Sequence, residues 1–180
     1  MKIKPFPILN EKNYKLRSFS MDDLPLIQEA SKDSLIPLIT SIPIQYTQEK
    51  GEAFIKRQWS RYEDNTGYSF AIVENKTNRA IGACYIGMEN IESGRATLGY
   101  WLIKSERGKG KIKPILKTLI AWAQTDLKIP RLELNVEPSN KPSIKTAEYL
   151  GFEQEGLMRS WQLIGDTRKD MIMMSLINNL

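Results

Sequence analysis

Residues 105–111, with the sequence SERGKGK, constrain the fold more than any other part of the chain. They follow an apolar run that ends in GYWLI and precede IKPILKTLIAWA, in which apolar residues recur at helical spacing. Pro114 is compatible with a helix only in the first turn, so the helix is predicted to begin near Lys111. The segment is therefore predicted to be a glycine-rich turn that leads from a strand into a helix.

Such a turn has the geometry of an anion-binding site. The first N–H groups of a helix have no partner within the helix, and the helix dipole adds the equivalent of roughly half a positive charge there. Glycines at positions 108 and 110 let the backbone approach a phosphate closely, and Arg107, Lys109 and Lys111 add positive charge. The Walker A and dinucleotide-binding patterns both fail to match. For the motif alone, a solvated basic turn remains an alternative.

The residues that are missing narrow the chemistry further. The chain contains no histidine and one cysteine, Cys84, which argues against a Ser-His-Asp triad, zinc chemistry and a disulfide framework. No metal is therefore expected. A length of 180 residues favours one domain over residues 1–180, and the start of the chain has no secretory signal, so a cytoplasmic location is expected. The net charge of +5 is scattered, which does not favour a dedicated nucleic-acid-binding arm, and no window approaches 18 uncharged apolar residues, so no membrane segment is expected.

The order of predicted elements indicates an α+β fold. A strand at residues 14–19 precedes helices that begin near Ser20 and Thr47. Three runs at residues 68–74, 80–88 and 96–103 are joined by short turns and predict an antiparallel meander. After the glycine-rich turn and its helix, residues 131–138 predict a strand parallel to the preceding one, since a helical crossover requires it. A short helix at residues 140–150 and a closing hairpin complete the pattern.

Three separated segments resemble the GNAT superfamily of acyl-CoA N-acyltransferases. They are LRSFSMDD, GYWLIKSERGKGKIKPILKTLIAWA and NVEPSNKPSIKTAEYLGFEQEGLMR, in the order that the family uses. The chain is most similar to the branch of ribosomal-protein N-terminal acetyltransferases (RimJ/RimL-like). The resemblance implies a twisted mixed sheet of six or seven strands flanked by about four helices, with acetyl-CoA as the co-substrate.

The resemblance also implies a set of cofactor-binding residues. Main-chain groups of Trp101, Leu102 and Ile103 are expected to pair with the pantetheine arm like an added strand. Asn140 is expected to hold the same arm, although a simple helix cap is an alternative. The coenzyme A pyrophosphate is expected on the backbone amides of Arg107, Gly108, Lys109, Gly110, Lys111 and Ile112.

Three positions depart from the family pattern. Ile112 stands where a small residue is usual, and it leaves the phosphate site intact only if its side chain points into the core. Ala147 replaces a frequent tyrosine acid, and Tyr149 lies about 200° further around the helix. Thr97 replaces the glutamate that often acts as base.

The catalytic candidates follow from these departures. Ser143 is the expected proton donor to the departing thiolate and lies near the thioester sulfur in the resemblance. Glu89, Glu92 and Glu155 lie near strand ends and are the candidate bases, acting directly or through water. An N-terminal amine has a pKa near 7.7–8.0, so a useful fraction is already neutral at physiological pH and the demand on a base is modest. Direct attack then depends mainly on alignment and on a strand amide near Leu102 that stabilises negative charge.

The sequence therefore predicts an N-acetyltransferase that moves an acetyl group from acetyl-CoA to a primary amine within a ternary complex. The acceptor is either a protein N-terminus or a small amine, and a homodimer is compatible with the resemblance. A non-catalytic acyl-CoA-binding or regulatory module is the alternative, because Thr97, Ile112 and Ala147 depart from the pattern. A nucleic-acid-associated protein that uses SERGKGK and Arg131 on phosphates is a further alternative.

Overall fold

The computed structural model describes residues 5–178. An eight-stranded sheet carries helices on both faces, in the strand order β1-β2-β3-β4-β5-β6-β8-β7. The strands are β1 (Leu9–Asn10), β2 (Tyr14–Ser18), β3 (Gly67–Glu74), β4 (Ala80–Gly87), β5 (Arg95–Leu102), β6 (Arg131–Val136), β7 (Glu153–Ile164) and β8 (Thr167–Ile177). The helices are α1 (Leu24–Ala30), α2 (Ile36–Ile39), α3 (Gln48–Glu63), α4 (Ile112–Thr125) and α5 (Lys141–Tyr149).

The architecture confirms the predicted α+β class, with one strand more than the upper estimate and one helix more than expected. The extra strand is the two-residue β1, which pairs with β2. The extra helix, α2, lies between the two helices that were predicted to begin near Ser20 and Thr47. Asp33 accepts hydrogen bonds from the N–H groups of Leu35 and Ile36 at 2.9 and 3.0 Å, and Pro37 lies in the first turn, where its missing N–H is tolerated.

The strands β2 to β5 form the predicted antiparallel meander, and β5 and β6 form the parallel pair. This parallel pairing is short, because only residues 95–97 of β5 have partners, at residues 131–133 of β6. Both strands continue beyond that point, β5 to Leu102 and β6 to Val136. The sheet therefore opens between β5 and β6.

Two hydrophobic clusters cover the two faces of the sheet. On one face, Leu116 and Leu119 of α4 pack with sheet residues such as Phe70 and Leu98. On the other face, Phe54 and Ile55 of α3 pack with Ala71, Ala83 and Trp101. Successive residues of a strand point to opposite faces, so β5 contributes Leu98 and Leu102 to the first cluster and Trp101 to the second. The strand β5 thus separates an α4/α5 face from an α3 face.

Candidate active site

The opening between β5 and β6 exposes main-chain groups of β5 beyond Thr97. The N–H of Ile103 donates to the carbonyl of Ile81 at 3.1 Å, on the β4 side of the strand. Adjacent residues direct their main-chain polar groups to opposite edges, so Trp101 also faces β4, with which it pairs through Ala83. We therefore assign the edge that faces the opening to Tyr100 and Leu102. The structure differs here from the expectation for Trp101 and Ile103, because their main-chain groups already belong to the β4–β5 ladder.

The loop that follows β5 has the backbone of an anion cradle. Gly108 and Gly110 both have φ of +72°, a left-handed conformation that residues with a Cβ rarely adopt. No atom lies within 4 Å of a Cβ added at either glycine, so both face open space. Within residues 5–178, the N–H groups of residues 108–112 take part in none of the hydrogen bonds. These amides are available to an anion at the start of α4.

The charged side chains of the loop are tied to carboxylates. The buried Glu106 accepts from Lys109 and Lys111 at 3.2 and 2.7 Å, and hydrogen bonds from Lys111 are the main reason that its pKa is lowered. Lys111 also reaches Glu74 at 3.3 Å. The positive charge of the loop is therefore largely compensated, which leaves the backbone amides as the principal anion-binding groups.

Arg107 anchors the loop instead of projecting towards a ligand. Its Nε donates to the carbonyl of Leu102 at 2.8 Å, and its Nη2 lies 2.7 Å from Asp33 Oδ2. Burial would raise the pKa of Asp33, but hydrogen bonds from the amides of Leu35 and Ile36 and the charge of Arg107 outweigh burial and lower it. The amide of Arg107 donates to the carbonyl of Lys104 at 3.3 Å. The structure thus gives Arg107 a positioning role, which differs from the expected phosphate contact.

Ile112 does not obstruct the cradle. Its side chain is half-buried and packs against the core cluster on the α4 face. The branched side chain therefore points away from the free amides, as its helical spacing indicated.

Ser143 belongs to α5, which packs on the α4/α5 face of β5, next to the opening. Its Oγ is 2.8 Å from the hydroxyl of Tyr100, and this hydrogen bond joins β5 to the helix that follows β6. Burial raises the pKa of Tyr100, with hydrogen bonds to Ser143 and Thr146 acting in the opposite direction. Tyr100 therefore stays protonated at neutral pH. The pair supplies hydroxyl protons beside the opening. Tyr100 was not among the residues selected from the sequence, although its position within the GYW run could have indicated it.

Neighbouring positions of α5 have structural roles. Asn140 caps the helix, since its side-chain oxygen accepts from the N–H of Ser143 at 3.2 Å. Ala147 is buried, while Tyr149 is 64% exposed and lies under the ammonium group of Lys113, 4.1 Å from the ring centroid. Tyr149 therefore does not replace the tyrosine that is missing at position 147.

A cavity of about 290 Å³ lies on the opposite face of β5, beneath α3. Its wall includes Thr97, the last residue of β5 that pairs with β6, so the cavity reaches the point where the strands part. Beyond this point no β5–β6 pairing lies between the cavity on one face of the sheet and α5 on the other. The lining residues are Phe19, Ile39, Thr40, Ser41, Phe54, Gln58, Arg61, Ser69, Ala83, Cys84, Tyr85, Glu89, Thr97 and Trp101.

Glu89 is the candidate base that lines this cavity. Its Oε2 lies 2.6 Å from the position of a Cβ added at Gly87, so the carboxylate folds back over that glycine. Arg61 and Tyr85 line the same cavity, and the guanidinium carbon of Arg61 is 5.9 Å from the centroid of the Tyr85 ring. The ring packs on Gly99, where a Cβ would lie 2.0 Å from Tyr85 Cε1. Gly99, the glycine of the GYW run, therefore leaves room for the ring of Tyr85 in the cavity wall.

The other two candidate carboxylates lie outside the cavity. Glu92 is exposed in a short 3-10 turn after β4. Glu155 receives hydrogen bonds from Arg131 Nη1 and Nη2 at 2.7 and 2.5 Å and from Ser175 Oγ at 2.6 Å. These bonds, that from Arg131 first, lower the pKa of Glu155 to about 2. So weak a base does not suit proton abstraction from an amine at neutral pH, and the structure favours Glu89.

Cys84 is fully buried, and burial raises the pKa of its thiol. The thiolate is the nucleophilic form of cysteine, so this residue is not suited to carry an acyl group. The surroundings of Cys84 agree with the expectation of direct transfer.

Three polar residues in the cavity wall, Gln58, Arg61 and Ser69, were not identified from the sequence as candidate site residues. Gln58 and Arg61 lie one and two turns after Phe54, on the side of α3 that faces the sheet. These polar residues interrupt the apolar spacing of the helix, and that interruption could have indicated them in the sequence. Ser69 gave no signal, because a serine within a strand is common. Its Oγ is buried and has no hydrogen-bond partner in the described part of the chain.

The described part of the chain contains neither a membrane-spanning helix nor a cluster of metal ligands. Across residues 5–178, no helix is long and apolar enough to cross a membrane. The same residues contain no group of three or more cysteine, aspartate or glutamate side chains that could hold a metal ion.

Comparison with known proteins is consistent with this geometry. The acetyltransferase (GNAT) domain family matches residues 14–153. The uncharacterized N-acetyltransferase p20 of Bacillus licheniformis is 38% identical over 108 residues, which are 60% of this chain and 61% of that protein. The matched region thus spans less than two thirds of that relative.

Solved structures with the same fold include acetyltransferases of ribosomal proteins. A proposed ribosomal-protein-serine acetyltransferase from Vibrio cholerae has a TM-score of 0.83 and 25% identity, with 97% of this chain and 99% of that chain covered. The ribosomal-protein alpha-N-acetyltransferase RimL, solved in complex with coenzyme A, has a TM-score of 0.81 and 20% identity, with coverage of 95% and 98%. At the latter identity the likeness shows the fold.

Proposed function

The chain belongs to the GNAT family of acyl-CoA-dependent N-acetyltransferases, and we propose that it transfers an acetyl group from acetyl-CoA to a primary amine by direct attack. The observation that carries the proposal is the arrangement around β5. The free amides of residues 108–112 and the Tyr100–Ser143 pair lie beside the opening, and the cavity with Glu89 lies on the other face.

The cradle fits the pyrophosphate of acetyl-CoA. Two left-handed glycines face open space, and the amides beside them are free, which is what an anion bound by the backbone requires. When bound, acetyl-CoA supplies the activated thioester. The edge of β5 at Tyr100 would pair with the amide groups of the pantetheine arm.

The residues of this chain would then divide the proton transfers. Glu89, directly or through a water molecule, would accept the proton that the amine loses. The N–H of Leu102, which faces the opening, would stabilise the negative charge that develops on the carbonyl oxygen. Ser143 would protonate the departing sulfur as it takes a proton from the hydroxyl of Tyr100 at 2.8 Å, and Tyr100 would regain its proton from water.

The acceptor in this proposal is a primary amine, either at a protein N-terminus or in a small molecule, and the site of action is the cytoplasm. The V. cholerae and RimL relatives support the first kind of acceptor, since their names refer to ribosomal proteins. The volume of the cavity, about 290 Å³, favours a small acceptor.

The proposal is tested by incubating the protein with acetyl-CoA and a panel of amines and N-terminal peptides. Thiol release is followed with time, and products are identified by mass. We expect thiol release that depends on the amine and yields one acetylated amine per thiol. Tight coenzyme A binding with no turnover of any amine would instead indicate a non-catalytic acyl-CoA-binding module.

A further inference from the structure

The charges inside the cavity carry information about the acceptor. Arg61 and Glu89 are the charged residues in its wall, one of each sign. Within the described residues neither forms a salt bridge, although most other charged groups near the active site do, including Arg107 with Asp33. Arg61 is half-buried and lies over the Tyr85 ring, at 5.9 Å from its centroid. A half-buried guanidinium without a carboxylate partner suits the anionic group of a ligand.

Unused hydrogen-bonding groups accompany the two charges. The Oγ of Ser69, a residue 5% exposed, has no partner in residues 5–178, although it belongs to the cavity wall. Buried polar atoms are usually paired, so an orphaned hydroxyl in a binding cavity indicates a partner supplied by a ligand. The hydroxyl of Tyr85 also makes no hydrogen bond to the described chain and lines the same space. The cavity thus offers polar groups to a ligand in addition to Arg61 and Glu89.

The size of the cavity and its apolar walls limit the acceptor. A volume of about 290 Å³ is at the lower end of the range for ligand pockets, which begins near 300 Å³. Phe19, Phe54 and Trp101 form apolar wall between the polar groups. A compact molecule with two opposite charges and a modest apolar side chain matches this combination.

We propose that the acceptor is a free amino acid, whose amine reacts beside Glu89 while its carboxylate binds Arg61. This inference rests on the proposed acetyl transfer and specifies its substrate class. The amine nitrogen forms a bond to the acetyl carbon as the carbon–sulfur bond breaks. The amine proton passes to Glu89, and the sulfur receives its proton from Ser143. A polyamine would place a second cation beside Arg61, and a peptide N-terminus would lack the neighbouring carboxylate.

Matched substrates test the role of the carboxylate. Each amino acid is compared with the amine that keeps its side chain and lacks its carboxylate, such as phenylalanine with phenethylamine and leucine with isopentylamine. The wild-type protein is expected to prefer the amino acid of each pair. In Arg61→Gln, kcat/KM for amino acids should fall about tenfold or more, the size of one charged hydrogen bond, while the values for the plain amines stay the same. Arg61→Glu should turn the preference towards diamines.

A control variant and a binding measurement keep the outcomes separate. Lys56→Gln makes the same charge change on an exposed part of α3 and should leave every acceptor unaffected. Amino-acid binding to the coenzyme A complex is measured by calorimetry in parallel with turnover. Binding that Arg61→Gln abolishes supports the inference even when no acetyl transfer occurs, in which case the proposed function fails alone. Faster turnover of plain amines or peptides, or an equal loss for both members of each pair in Arg61→Gln, overturns the inference and leaves acetyl transfer standing.

Discussion

Replacement of Gly110 by alanine tests whether the glycine-rich loop binds the pyrophosphate through its backbone. Gly110 has φ of +72°, and an alanine held in this left-handed region costs about 1–2 kcal/mol. No atom lies within 4 Å of the added Cβ, so the cost is conformational and does not arise from a clash. Because the loop is exposed around Gly110, the free variant can relax to an ordinary φ. The cost then falls on coenzyme A binding.

The expected result of Gly110→Ala is a dissociation constant for coenzyme A that is about 5- to 30-fold higher, from 1–2 kcal/mol. The melting temperature of the free protein should change little. Titration calorimetry measures the affinity for coenzyme A and for pantetheine, which lacks the pyrophosphate and should bind as before. Gly156→Ala is the matched control, since Gly156 also has open space around it but no positive φ.

Two outcomes of this experiment would contradict a pyrophosphate bound by the backbone of the loop. Unchanged coenzyme A affinity in Gly110→Ala would show that the pyrophosphate does not use this backbone conformation. An equal loss for coenzyme A and pantetheine would show that the substitution disturbs the pantetheine site instead. Asn tolerates the left-handed region better than alanine does, so Gly110→Asn should give an intermediate affinity.

Three further substitutions test the catalytic groups and one ion pair. Glu89→Gln should lower kcat by about tenfold to hundredfold near neutral pH, where part of the amine is already neutral, and the loss should shrink at high pH as the rest of the amine loses its proton; a rate profile parallel to that of the wild type at every pH would contradict a base at this position. Tyr100→Phe keeps the ring and removes the hydroxyl, so kcat should fall about tenfold to hundredfold with KM for acetyl-CoA unchanged. Steady-state kinetics measures both constants, and a change in KM alone would contradict the role of Tyr100 in proton transfer. Glu155 has a folded-state pKa of about 2, below the ordinary value of 4.5, so the stability from its pairing with Arg131 is present above pH 4.5 and is lost as the pH falls towards 2. Melting curves should accordingly show Glu155→Gln less stable than the wild type at neutral pH and equal to it near pH 2, and the variant should retain acetyl transfer at neutral pH; a stability difference that persists at pH 2 would contradict the ion-pair origin.

The strands and the cradle were predictable because their signals are local. Short runs of strand-forming residues and the turns between them define β3, β4 and β5, and two glycines before an amphipathic run define the loop and α4. The position of Ile112 in the helical stripe correctly indicated that its side chain turns into the core. By contrast, β1 is only two residues long, and α2 depends on hydrogen bonds that the Asp33 carboxylate accepts from backbone N–H groups, so neither has a periodic pattern to detect.

The use of individual side chains was less predictable, because it depends on partners distant in the chain. Arg107 has the residue type of a phosphate ligand, but Asp33 lies 2.7 Å away in three dimensions and holds it. Glu155 has the residue type of a base, and Arg131 makes it a poor one. The cavity combines residues from α3, β3, β4 and β5, so Arg61 acquires its significance only after folding.

The most direct test of the account is a crystal structure of the protein with coenzyme A. The account predicts the pyrophosphate on the N–H groups of residues 108–112, the pantetheine arm along the edge of β5, and the sulfur within hydrogen-bonding distance of Ser143. A pyrophosphate held by the side chains of Lys109 and Lys111 away from those amides, or a pantetheine arm outside the opening between β5 and β6, would contradict it.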